Sequence, residues 1–242
     1  MPMRYAIISD IHANFDALEA VLADIEKEKV DQILCLGDIV GYGPQPKECI
    51  AKIQELGCIT VAGNHDFAAI GKTNIEYFNI YAKEATLWTQ KTLDDDEKEF
   101  LNSLPLVKHF DDFTIVHATL YAPELFDYIQ TSYDAYLSLQ ILEGKVCFLG
   151  HSHVPITFFQ EEMISYTLSP EIKLQNGMKA LVNVGSVGQP RDDNPKSAYA
   201  IYDTDQQMIW IRRVEYDIEK VGEKIRKAGL PEVLAERLKY GK

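Results

Sequence analysis

Cysteine is scarce in this sequence of 242 residues, and its four copies show no CxxC pairing. They give no sign of a disulfide framework. Cys35 and Cys147 lie inside apolar runs and are predicted to be small core residues. This usage favours a reducing, cytoplasmic compartment.

Long apolar runs and excess positive charge are also missing. No segment approaches the roughly 18 apolar residues that span a bilayer, and the N-terminal apolar segment ends at Asp10, so we expect neither a membrane partner nor a signal peptide. With 24 Lys and Arg against 37 Asp and Glu, the net charge is -13, which argues against stable nucleic-acid binding. A phosphate substrate is not excluded, because metal ions or one arginine can reverse the field locally.

Strand and helix patterns alternate over the first 63 residues. Apolar runs at 5–8, 33–36 and 58–62 predict buried strands, and apolar residues at helical spacing over 15–25 and 44–56 predict the helices between them. This order implies a parallel sheet with right-handed crossovers.

The remaining sequence completes one predicted domain over residues 1–242. Residues from about 72 to 104 are mostly helical in pattern and form a predicted helical excursion beside the sheet. After Pro155 the pattern becomes strand-rich. An amphipathic helix is predicted from about 218 to 238, interrupted at Gly229-Leu230-Pro231. We therefore predict a single α/β domain.

Short polar segments follow the apolar runs that predict strands. Five of them contain five of the six histidines: Ser9–His12, Gly37–Asp38, Gly63–Asp66, Val116–Ala118 and Gly150–His153. Ligand sites in open α/β sheets collect at the carboxyl ends of strands, so one crevice could hold all five segments. Only His109 lies outside this set.

The residue types in these segments fit a metal centre. Asp10 and His12 are two residues apart, as are His151 and His153, and in extended backbone such pairs point the same way and can converge on one ion. Mixed imidazole and carboxylate ligands suit Mn, Fe, Zn or Ni better than Ca or Mg. One carboxylate can bridge two ions, and Asp38 is the natural candidate.

In this order the five segments resemble the signature of the calcineurin-like metallophosphoesterases, which is Asp-x-His, Gly-Asp, Gly-Asn-His-Asp/Glu, a single His after a strand, and Gly-His-x-His. The length resembles the small bacterial and archaeal phosphodiesterase branch of that family. The resemblance implies a four-layer α/β/β/α sandwich with mixed sheets.

The resemblance also implies a role for each polar residue. One divalent ion would be held by Asp10, His12, Asp38 and His153, and a second by Asp38, Asn64, His117 and His151. A hydroxide bridging the ions would attack the phosphorus. His65 would contact the phosphate without binding metal and would protonate the leaving oxygen.

Two further residues, Asp66 and Arg191, are candidates on weaker grounds. Asp66 is either an acid at a helix N-terminus or the group that orients the His65 ring. The segment at 183–192 is either a surface loop or a wall of the crevice; it resembles a family segment, Asn-Pro-Gly-Ser, with Val184 in place of proline. Its Arg191 is a candidate phosphate clamp, because a guanidinium matches phosphate oxygens bidentately.

Aromatic residues near the polar segments are candidates for substrate contact. Tyr42 is flanked by glycines and could reach over the site. Tyr121, Phe126 and Tyr128 follow His117 and could stack on a nucleobase or simply pack at the rim.

These observations predict two-metal hydrolysis of a small phosphoester, nucleotide-like substrates included, with phosphodiesters as the first choice. A phosphomonoesterase, a protein phosphatase and a dinucleoside polyphosphate hydrolase are alternatives, because all could share the metal centre. A non-catalytic binding protein on the same fold is the alternative from another class. The sequence does not predict an oligomeric state.

Overall fold

The computed structural model describes residues 3–242. The first part alternates strands and helices: β1 (Arg4–Ile8), α1 (Phe15–Ile25), β2 (Gln32–Cys35), α2 (Pro46–Glu55), β3 (Ile59–Thr60) and α3 (Asn64–Ala69). The middle part contains α4 (Ile80–Thr92), α5 (Asp95–Ser103), β4 (Val107–His109), β5 (Phe113–Val116), α6 (Ser132–Ile141) and β6 (Val146–Leu149). The last part contains β7 (Ile156–Gln160), β8 (Ile164–Thr167), β9 (Glu171–Lys173), β10 (Lys179–Asn183), β11 (Ser197–Asp203), β12 (Met208–Val214), α7 (Ile218–Lys227) and α8 (Glu232–Glu236). Three short 3₁₀ turns lie at Glu26–Glu28, Pro123–Leu125 and Arg237–Tyr240.

The strands form two mixed sheets of six strands each. The first has the order β3-β2-β1-β11-β12-β9, and the second has the order β4-β5-β6-β10-β7-β8. In the first sheet β1, β2 and β3 run parallel, whereas β11 pairs antiparallel with β1. In the second sheet β5, β6 and β10 run parallel. The predicted parallel first half is thus completed by strands from late in the chain.

Alternate residues of the central strands face two different cores. In β1, Tyr5 and Ile7 pack between the two sheets, whereas Ala6 and Ile8 face the helix layer that contains α1 and α2. A third core lies between the second sheet and α6, where Leu139 packs with Phe158. Since both faces of β1 are buried, its apolar run is continuous. These layers confirm the predicted α/β/β/α sandwich.

Helices cover only part of the predicted helical excursion. Within 72–104, α4 and α5 cover residues 80–92 and 95–103, and residues 72–79 are not helical. The C-terminal helix is divided into α7 and α8 at the predicted interruption, Gly229-Leu230-Pro231, where Gly229 has a φ of +74°. No helix within residues 3–242 is long and apolar enough to cross a membrane.

A fourth apolar cluster joins the C-terminal helices to the middle of the chain. Val221 and Ile225 of α7 and Leu234 of α8 pack with Ala82 of α4 and with the ring of Tyr42. The C-terminal segment therefore lies against the loop that follows β2.

Candidate metal centre

The five polar segments meet at the carboxyl ends of β1, β2, β3, β5 and β6, as expected for an α/β crevice. Backbone hydrogen bonds join neighbouring segments: Asp10 N donates to the Gly37 carbonyl (3.0 Å), and Gly150 N donates to the His117 carbonyl (2.9 Å). The two sheets are joined where His151 N donates to Asp10 Oδ2 (3.0 Å). All seven predicted ligands are buried.

The backbone of these ligands is left-handed, which corrects one step of the sequence argument. The pair Asp10 and His12 and the pair His151 and His153 were expected in extended backbone. These four residues and Asp38 instead have φ between 50° and 65°. Non-glycine residues rarely adopt this conformation, and each instance costs on the order of 1–3 kcal/mol. The surrounding structure therefore imposes this geometry on the ligands.

Two motif glycines allow the ligand segments to touch. A Cβ at Gly63 would lie 2.0 Å from Asp38 Oδ1, and a Cβ at Gly150 would lie 2.3 Å from Asp10 Oδ2. Any side chain there would displace a carboxylate. This packing explains why both segments contain glycine before the polar residues.

The first group of ligand atoms comes from Asp10, His12 and His153. The Nδ1 of His12 faces the Val40 carbonyl (3.1 Å), and the Nδ1 of His153 faces the Gln189 carbonyl (2.6 Å). Carbonyls only accept, so these contacts place the proton on Nδ1 and leave a lone pair on each Nε2. The two Nε2 atoms nevertheless lie 3.1 Å apart. Asp10 Oδ1, which has no hydrogen-bond partner within residues 3–242, lies 3.3 Å from His153 Nε2.

The second group comes from Asp38, His117 and His151, and Asn64 lies beside it. The Nε2 of His117 faces three atoms that can accept: Asp38 Oδ2 (3.3 Å), Asn64 Oδ1 (3.3 Å) and His151 Nδ1 (3.2 Å). One proton can serve only one of them. A cation among these atoms would satisfy them all.

Both carboxylates remain ionised although they are buried. Burial disfavours the charged form of Asp10, but His153 and His117 outweigh it and hold the pKa of this carboxyl well below its usual range. Burial also opposes ionisation of Asp38, and His117 and His65 hold its pKa well below the usual range. Buried negative charge needs a positive partner.

Most of the ligand histidines are neutral, as metal ligands must be. Burial lowers the pKa of His12, His151 and His153, and the pKa of His151 falls to about 3. Burial also disfavours a charged His117, but the Asp38 carboxylate raises its pKa to about 9. A positive charge is therefore favoured where the second group would hold an ion.

This donor set fits two divalent cations. Buried lone pairs face one another within each group, and Asp38 Oδ2 lies 3.6 Å from His12 Nε2 and 3.3 Å from His117 Nε2, between the two groups. The other oxygen of Asp38 accepts from His65 N (2.8 Å). Imidazole with carboxylate suits Mn, Fe, Zn or Ni.

Comparison with known proteins decides the family. The model of the calcineurin-like phosphoesterase superfamily domain matches residues 3–207. The chain belongs to the calcineurin-like phosphoesterase superfamily. The resemblance seen in the sequence is thus confirmed, and membership indicates metal-dependent phosphoester hydrolysis as the class of chemistry.

Relatives of this calcineurin-like chain extend over its whole length. An uncharacterised protein of Methanocaldococcus jannaschii is 43% identical over 241 residues, which cover 98% of both chains. The crystal structure of a metallophosphoesterase from Sphaerobacter thermophilus is 39% identical, with a TM-score of 0.87 over 100% of both chains. A hypothetical protein from Pyrococcus horikoshii OT3 is 21% identical, with a TM-score of 0.81 over 99% of this chain and 98% of its own, and so shows the fold alone.

His65 lies at the centre of this site, whereas the carboxylate of Asp66 is turned toward the backbone. The His65 ring lies 5.0 Å from the His12 ring, and its buried Nδ1 has no hydrogen-bond partner within residues 3–242. Burial lowers the pKa of His65 to about 4. Asp66 instead accepts from the backbone N–H groups of Asp38 (2.8 Å), Ile39 (2.9 Å), Val40 (3.2 Å) and Gly63 (3.0 Å). These contacts favour the helix-terminus alternative for Asp66, which holds the Asp38 loop in place.

The segment at 183–192 forms part of the crevice wall. Ser186 Oγ and Gly188 N both donate to the Asp10 carbonyl, at 2.8 and 2.9 Å. Residues 183–190 are buried, so the segment is not a solvated surface loop. Arg191 follows it, and its guanidinium donates to Gln189 Oε1 (2.8 Å), while its buried Nε has no partner within residues 3–242.

Tyr42 reaches over the site as its flanking glycines suggested. Its ring lies 4.8 Å from the His12 ring and 4.5 Å from the His65 ring. Arg191 and Arg237 both lie over Tyr42, with Cζ 5.6 and 6.0 Å from the ring centre. Arg237 was missed because it lies in the C-terminal segment, far in sequence from every motif.

The aromatic residues after His117 have different positions. Tyr128 stacks on the His151 ring at 4.0 Å, and the Phe126 ring lies 6.0 Å from the His117 ring. Tyr121 is half exposed and lines an adjoining cleft beside α6, to which Tyr128 also contributes. The ring of Phe78 lies 5.0 Å from the His65 ring. No motif in the sequence marks Phe78 as a residue of the site.

Proposed function

We propose that this protein hydrolyses phosphoesters at two divalent metal ions, with phosphodiesters as the preferred class. The observation that carries the proposal is the position of Asp38 Oδ2, which has no hydrogen-bond partner within residues 3–242 and lies between two groups of buried lone pairs. Two such ions supply an activated water and clamp the attacking and leaving oxygens.

Seven residues of the chain would hold the two ions, and Asp66 would support them. One ion would be held by Asp10, His12, Asp38 and His153, and the other by Asp38, Asn64, His117 and His151. Asp66 would position the Asp38 loop through its backbone contacts.

Three further residues would act on the substrate. His65 would contact the phosphate, whose negative charge would raise the lowered pKa of the ring, and would then protonate the leaving oxygen, with Asn64 beside it. Arg191 would hold a non-bridging phosphate oxygen, and Tyr42 would cover the histidines from the substrate side. Arg191 suits this role because its Nε is buried without a partner within residues 3–242.

The deciding experiment measures turnover of bis-p-nitrophenyl phosphate and p-nitrophenyl phosphate by the full chain with added Mn²⁺. We expect metal-dependent turnover, faster for the diester. Preference for the monoester would replace the diester assignment by a phosphomonoesterase. Full metal content without turnover of either compound would refute hydrolysis and support the non-catalytic alternative.

The acid role of His65 is tested by His65→Ala, with His109→Ala as the matched control. His109 is the histidine outside the site and faces Thr114. His65→Ala should keep its metal and lose about 10²–10⁴-fold in rate, because a general acid contributes that much. The loss should be smaller for nitrophenyl than for alkyl leaving groups, and equal losses would contradict the acid role.

A further inference from the structure

An aromatic cleft opens directly beside the metal centre. Its volume is 410 Å³, and His65 and His151 line its inner end. Tyr77 and Phe78, from the segment before α4, and Tyr128, from the segment between β5 and α6, also line it. The cleft is therefore continuous with the place where a phosphate would meet the ions.

The apolar surface of this cleft is unusually exposed. Tyr77 is 92% exposed, Leu125 is 64% exposed and Tyr128 is 48% exposed. A cluster of large exposed apolar side chains around a cavity marks a binding surface. Aromatic faces bind planar rings by stacking, and this does not require charge.

The cleft carries little charge, and what it carries is negative. Among its lining residues the charged side chain is that of Asp127, and no lysine or arginine of residues 3–242 lines it. The two arginines near the site lie over Tyr42 instead. A phosphate inside the cleft would therefore meet the like charge of the exposed Asp127 carboxylate and no basic side chain.

We propose that the cleft binds the organic group of the substrate, and that this group is an aromatic or heteroaromatic ring with no phosphate of its own. The substrate class is thus aryl or nucleoside esters with one phosphate. This inference rests on the proposed function for the phosphate end of the substrate. It disfavours dinucleoside polyphosphates, whose extra phosphates would have to enter the cleft.

The first test compares AMP with methyl phosphate as inhibitors of p-nitrophenyl ester hydrolysis by the metal-loaded protein. One stacked base corresponds to about 5- to 150-fold in affinity, so AMP should bind more tightly by that factor. Tyr77→Ala should abolish the difference, and Tyr77→Phe should keep it. Tyr166→Ala is the matched control, because Tyr166 is 63% exposed but lines neither this cleft nor the one beside α6.

A second arm tests the single phosphate and separates this inference from the proposed function. Adenosine 3′,5′-bisphosphate should bind no more tightly than AMP, and a gain of tenfold or more would overturn the single-phosphate assignment. Adenosine alone, titrated by calorimetry into the protein without metal, should bind in wild type and not in Tyr77→Ala. Metal-dependent turnover with equal binding of AMP and methyl phosphate would overturn the cleft assignment alone. Adenosine binding without any turnover would refute the proposed hydrolase activity, and the assignment of the cleft as a ring-binding site would stand.

Discussion

Asn183 joins the wall of the crevice to the segment that carries His151 and His153. It is buried at the end of β10, and its Nδ2 donates to the Gly150 carbonyl and to Ser152 Oγ (2.9 Å). Its Oδ1 accepts from Gly185 N (2.9 Å). We expect Asn183→Ala to lower both stability and metal affinity, although Asn183 is not a predicted ligand.

The magnitude follows from the three bonds. Each net hydrogen bond contributes about 0.5–1.5 kcal/mol, so their removal should lower the free energy of unfolding by about 2–4 kcal/mol. That is a large part of the roughly 5–15 kcal/mol of a typical domain. The loss should appear as a lower urea midpoint at an unchanged slope. Metal affinity should fall as well, because outer contacts that orient ligands are typically worth 10–100-fold.

Asn194→Ala is the control for this variant. Asn194 lies nearby in sequence, is only partly buried, and accepts one hydrogen bond, from Lys196 N (3.1 Å). Asn194→Ala should keep wild-type metal affinity, and its free energy of unfolding should fall by about 1 kcal/mol at most. If Asn183→Ala matched Asn194→Ala in both urea midpoint and metal titration, the bonds of Asn183 would not be what holds His151 and His153.

Other parts of the site and fold yield three more predictions. Asp38→Ala should lose both ions together, because its Oδ2 lies within 3.6 Å of a histidine nitrogen in each group; elemental analysis that found about two ions would contradict this. Arg191→Ala should keep its ions and lose about 10- to 150-fold in kcat/KM, mainly through KM, with partial rescue by lysine; unchanged kinetics would exclude a phosphate contact. Asp16→Asn should lower the urea midpoint at pH 7, since two lysines of α7 outweigh burial and lower the pKa of Asp16. This contribution is present above about pH 4 and is lost as the pH falls through the lowered folded pKa, so the two proteins should converge in acid; a gap that persisted in acid would place the effect elsewhere.

The central strands, and the polar residues that follow them, could be predicted from the sequence for a simple physical reason. Strands buried on both faces are continuous apolar runs, and polar residues that interrupt them abruptly must lie at strand ends. Asp10 after β1 and His117 after β5 are examples. The edge strands β8 and β9 were missed, because exposed residues such as Tyr166 interrupt their apolar pattern.

Contacts between distant segments could not be predicted in the same way. The left-handed backbone of Asp10 and His12 depends on hydrogen bonds from neighbouring loops, such as His12 N to the Asp38 carbonyl (2.9 Å). Arg237 comes to Tyr42 only because the C-terminal helices pack on α4. The same holds for Asp66, whose amide partners are mostly from the Asp38 loop.

The pairing of β1 has a consequence for the order in which the protein is made. Its neighbours are β2 on one edge and β11 on the other, where Ile7 pairs with Ala200. A nascent chain that has emerged as far as His153 already contains every predicted ligand, yet β1 still has an unpaired edge, and the Asp10 loop lacks the support of Ser186 and Gly188. Such an edge is open to wrong partners, and closure over so long a separation is slow. Ion capture should therefore come late, after β11 is in place, and a ribosome-stalled chain that ends before residue 197 should hold metal poorly although its set of ligands is complete.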